Sequence, residues 1–117
     1  MPAPSPLTIA TQSVQRLVKE DSYYRKELAQ QTERVKKLEA DVKTSSDENA
    51  AFILKQEQKA VGETQAVFAP LRERIAEAVS RLEEQIATAE SEGAAADEIA
   101  KANEALKLGR ELEPPVA

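Results

Sequence analysis

The sequence predicts an all-α protein, an elongated antiparallel three-helix bundle with coiled-coil-like packing, and three observations carry that expectation. Its residues are dominated by Ala, Glu, Gln, Lys, Arg and Leu, the strongest helix formers. Apolar residues recur every seven positions along two long segments, the spacing of a helix seam. Two short clusters of turn residues, Thr44-Ser-Ser-Asp-Glu-Asn49 and Ser91-Glu-Gly93, separate three helical stretches. Links that short join antiparallel neighbours. With two Tyr, two Phe and no Trp in 117 residues, the core must be thin, because large aromatics normally fill a globular centre.

Residues 1–6 hold three of the six prolines and are expected to be a disordered tail. A single bundle domain is expected over 7–112, with a C-terminal tail over 113–117. The first helix, over about residues 7–43, has one seam through Val14, Asp21, Leu28, Val35 and Val42 and a second through Leu17, Tyr24, Gln31 and Leu38. No Pro or Gly interrupts it. In the turn that follows, Ser45 with Glu48 fits a capping box, and Ser46 or Asp47 would cap nearly as well.

The second helix, over about 48–90, has its seam at Leu54, Val61, Phe68, Ile75, Leu82 and Ala89. The companion series begins at Thr64 and Leu71, then shifts to Val79 and Ile86. That slip is the drift of a 3.6-residue helix away from a strict 3.5 repeat. Pro70 lies mid-helix, and the apolar seam continues in phase across it. The helix is therefore expected to kink at Pro70 and not to break there. Gly93 suits a left-handed cap, and a third helix follows over about 95–112 with a stripe of Ile99, Ala102 or Asn103, Leu106, Gly109 and Leu112. This helix is too short to cover both partners, so part of the long pair is expected to stay open.

The residue inventory excludes most catalytic schemes. Without His or Cys there is no Ser-His-Asp triad, no thiol nucleophile and no zinc site with nitrogen or sulfur ligands. Gly62, Gly93 and Gly109 are isolated, so no phosphate loop is present. No enzyme and no cofactor is expected. The net charge is −5, and residues 1–43 carry eight basic against six acidic residues while the rest of the chain is acidic. Such a chain is a poor match for nucleic acid or for an anionic membrane surface. A protein partner is the remaining option. The absence of cysteine and of a positive, apolar N-terminal segment favours a cytoplasmic location.

The string Val14-Gln-Arg16-Leu-Val-Lys-Glu20, followed by Tyr24, Lys26-Glu27, Gln30-Gln31 and Lys37, resembles the tubulin-binding cofactor A family. Pro70 with Arg72 and Arg74 is similar to the proline and following arginines of that family's second helix. The resemblance covers about residues 12–88. It implies a three-helix antiparallel bundle. It also implies a chaperone that captures and stabilises β-tubulin folding intermediates for assembly with α-tubulin, with other tubulin-folding cofactors as further partners, as a monomer or homodimer associated with the cytoskeleton. A structural coiled-coil scaffold with no tubulin client is the alternative.

The candidate contact residues are Arg16, Lys19, Glu20, Tyr23, Tyr24, Lys26, Glu27 and Gln30 on the first helix, with Glu77 and Arg81 on the second. Tyr23 lies off the seam, where an exposed aromatic can anchor an interface; Tyr24 lies on it. Taken singly, each charge in the set reads first as one that solvates a helix face. Asp21 stands at a seam position, and a buried carboxylate without a partner is costly. It must pair with a base, lie beyond the third helix, or face a partner. Gln31 is a polar seam residue of the kind that sets register, and Phe52 either packs on the third helix or stays exposed.

Overall fold

The computed structural model describes residues 3–45 and 47–112. The expected tail over 113–117 and the candidate cap Ser46 lie outside the described residues. Three helices make up the fold, α1 (Pro6–Thr44), α2 (Glu48–Ser91) and α3 (Ala96–Glu111), with no strand among the described residues. The chain is an all-α helical bundle, as its heptads require.

Local chemistry sets the helix ends. α1 begins at Pro6, inside the segment expected to be a tail, because Ser5 caps it: the Ser5 Oγ accepts the Thr8 N–H at 3.1 Å, and Ile9 N–H reaches the Ser5 carbonyl at 3.0 Å. Proline at the first helical position loses nothing, since its missing N–H would have no partner there. At the start of α2 the cap is Asp47, whose Oδ1 accepts the Asn49 N–H at 3.0 Å. Ser45 sits too far outside the helix for a capping box with Glu48, and its Oγ accepts the Asp47 N–H at 3.1 Å. α2 runs on through Pro70 without a break.

α2 ends in a Schellman motif: Ala94 N–H reaches the Ala89 carbonyl at 2.9 Å and Gly93 N–H the Glu90 carbonyl at 3.3 Å, with Gly93 at φ +73°. A side chain at that φ is strained, so Gly93→Ala is expected to cost about 1 kcal/mol. A lowered urea midpoint with an unchanged m-value would register the loss.

Packing divides the chain into two compact units, Met1–Asp21 with Pro70–Ala117, and Ser22–Ala69. In the first, the start of α1, the end of α2 and the whole of α3 enclose a core. Val14, Leu71, Ile75, Val79 and Leu82 are at most 1% exposed there, and Ala102, Ala105 and Leu106 cover them from α3. The stripe on α3 therefore uses Ala102, and Asn103 is exposed. α3 comes close because Gly109 has no side chain: a Cβ there would stand 2.6 Å from Val79 Cγ2 and 3.0 Å from Val14 Cγ1. Arg110 reaches Glu83 on α2 at 3.1 Å, and Thr8 on α1 reaches Glu98 at 3.4 Å.

The second unit is an antiparallel pair made from the rest of α1 and α2. Its seam residues Leu28, Val35, Leu38, Val42, Leu54, Val61 and Phe68 are only half-buried, and Thr64 alone is buried among its described residues. Two helices can cover one another along a single line, so each residue here removes less apolar area from water than in the first unit.

Candidate partner-binding surfaces

Asp21 is fully buried, and Arg72 meets it side-on: Nε donates to Oδ2 at 2.9 Å and a terminal nitrogen donates to Oδ1 at 3.5 Å. Of the three readings open for Asp21, pairing with a base is the one found. The pair joins α1 to α2 within the first unit. A guanidinium suits this task, since its fork matches both carboxylate oxygens while its stem packs on apolar neighbours.

In the same unit Arg16, Lys19, Glu77 and Arg81 are exposed and Glu20 is half-buried. Arg81 is drawn into a definite feature, a groove of about 290 Å³ lined by Pro6, Ile9, Ala10, Ser13 and Ala78. Ile9, 56% exposed, is its apolar wall and was not among the expected contacts. The signal was present, because a large aliphatic off the seam of a helix has no core to enter.

In the second unit Tyr23 is 63% exposed and Tyr24 half-buried, with their rings edge-to-face at 5.4 Å and 77°. Lys26 and Gln30 are exposed, and Glu27 is half-buried. Phe52 stays exposed at 58%, next to Ile53 at 38%. Arg34 and Glu57 bridge the two helices at 3.4 Å. Gln31 keeps its Oε1 inside the pair with no hydrogen-bond partner among the described residues. A groove of about 120 Å³ opens between Thr32, Val35, Gln58 and Val61, residues that the charge pattern did not single out.

No cluster of three or more acidic side chains among the described residues is placed to hold a metal ion. No helix among them is long and apolar enough to cross a membrane. What both units present is helix surface: charge interleaved with half-covered apolar side chains, which suits docking of another protein's surface.

A family model described as tubulin binding cofactor A matches residues 2–106. No curated protein and no solved structure matches the chain.

Proposed function

Because the chain belongs to the tubulin binding cofactor A family, we propose that it is a tubulin-folding cofactor that captures β-tubulin folding intermediates and holds them for assembly with α-tubulin. The observation that carries this reading is the family match over residues 2–106, which takes in all of α1 and α2 and most of α3. The half-covered seam of the second unit supports it, since a chaperone must offer apolar surface to a client that has not yet buried its own. In this reading the protein acts in the cytoplasm on the subunits of the cytoskeleton, by binding and not by catalysis. A bend of α2 at Pro70 belongs to the same proposal, as do contacts from Tyr23, Tyr24, Lys26, Glu27 and Gln30 on one unit and Arg16, Lys19, Glu20, Glu77 and Arg81 on the other.

The test is to mix the purified protein with β-tubulin released from the αβ dimer and run size exclusion under folding conditions. A complex that co-migrates with β-tubulin and gives it up to added α-tubulin is expected. Absence of any such complex would sink the reading. Sedimentation of the protein alone distinguishes it from a scaffold, which should assemble into larger species as concentration rises.

A further inference from the structure

Thr32 and Val35 on α1 each stand three heptads after Thr11 and Val14; Gln58 and Val61 on α2 stand three heptads before Val79 and Leu82. The first-unit set belongs to the seat of α3. Val14 and Val79 are the side chains that close on Gly109, and Thr11 and Leu82 are buried with them. The second-unit set lines the groove of about 120 Å³, with Thr32 and Gln58 exposed and Val35 and Val61 half-buried. On this count the same heptad positions line the groove and the seat, with Gln58 standing at the position that Val79 takes where the buried series on α2 shifts by one residue. In one unit they are covered by α3; in the other no third helix belongs to the pair among the described residues.

The opposite face is treated differently. Arg34 and Glu57 have the heptad phases of Ser13 and Ala78, which line the other groove of the first unit, and here they bridge across at 3.4 Å. The open face is therefore the one equivalent to the α3 seat. Its rim also differs in charge. Lys55 has the phase of Glu83, the carboxylate that holds Arg110 of α3, and Lys36 has the phase of Thr8, which contacts Glu98. Glu39, at the phase of Thr11, and Glu33, at the phase of Gln12, are the acidic exceptions on α1. A helix complementary to this rim carries carboxylates where α3 carries Arg110.

We propose that this groove is a seat for a third helix supplied in trans, an amphipathic client helix with a narrow apolar face like that of α3 and acidic residues along its flank. The proposal rests on the client reading above. Gly62, exposed on α2 one residue after Val61 and one turn after Gln58, has nothing within 4 Å of a Cβ position, so bulk can be added there without a clash inside the protein.

The experiment compares wild type with Thr32→Phe and Gly62→Gln, which obstruct the groove, with Lys36→Glu/Lys55→Glu, which reverses its rim, and with Leu108→Ala, an exposed position on α3 of the first unit, as a control. β-Tubulin binding is measured alongside helicity and melting temperature. Loss of affinity of tenfold or more in the three groove variants, with the control at wild-type level and folding intact, is expected. Groove variants that bind as wild type does would overturn the seat while leaving the proposed function standing. If wild type binds no tubulin, the proposed function fails and a second probe decides the seat: a labelled peptide copying residues 95–112 with K101E, K107E and R110E. Saturable binding that Thr32→Phe weakens at least tenfold supports the seat; absent binding, or binding indifferent to that substitution, overturns it.

Discussion

Arg72→Leu is expected to lower the stability of the protein by about 2–3 kcal/mol, whereas Asp21→Leu/Arg72→Leu should restore most of that loss. The reasoning starts from burial: Asp21 is 0% exposed on a helix seam, while the Arg72 side chain is 30% exposed. Removing the arginine leaves a carboxylate inside the fold without the guanidinium that meets it at 2.9 Å. Removing both partners replaces a desolvated ion pair with apolar contact, which proteins tolerate well. Partial exposure of the arginine keeps the expected cost below that of a fully buried pair. Urea denaturation of the two single variants and the double variant forms a cycle whose coupling energy isolates the pair. A coupling energy near zero would show that the contact carries no stability.

Gly109 is the other position where a small change should act strongly, and it should act against intrinsic propensity. Alanine is favoured over glycine in an exposed helix interior by about 1 kcal/mol, and Gly62→Ala, with nothing within 4 Å of its new methyl, is expected to stabilise by that amount. Gly109→Ala is expected to destabilise by about 1–3 kcal/mol. Its methyl would stand 2.6 Å from Val79 Cγ2 and 3.0 Å from Val14 Cγ1, and β-branched side chains have little rotamer freedom with which to yield. Gly109→Leu should lift α3 from its seat altogether, exposing its backbone amides to hydrogen exchange. Equal stabilisation by alanine at both glycines would show that α3 does not pack closely on Val14 and Val79.

Much of the architecture was legible in the residues because heptad periodicity is a local signal. Val14, Ile75 and Leu82 were read as seam positions and are fully buried. Helix ends were harder, because several polar residues compete for each cap. Ser5-Pro6 sits in a proline-rich segment that reads as a tail, and Ser45 with Glu48 has the spacing of a capping box although Asp47, adjacent to the first turn of α2, is the cap. The binding surface was less accessible still. Charges on α1 such as Arg16, Lys19 and Lys26 look alike in sequence and are alike exposed. The groove at Thr32, Val35, Gln58 and Val61 combines residues from two helices and acquires meaning only beside the place where α3 is already seated.

The sequence by itself determined that this is an all-α protein of two long helices and one short one. Composition and seven-residue spacing decide which face each helix must bury, whatever it meets there. It also marked Asp21 as a residue in need of a partner. Only the tertiary structure decided that the partner is Arg72, that Gly109 is the point where α3 closes on both neighbours, and that the second unit keeps its seam half-open. Periodicity sets the direction of a side chain about its own axis, but the register between helices and the reach of the third belong to their packing. A seam shared by three helices is buried, and one shared by two retains an open side that another helix can fill.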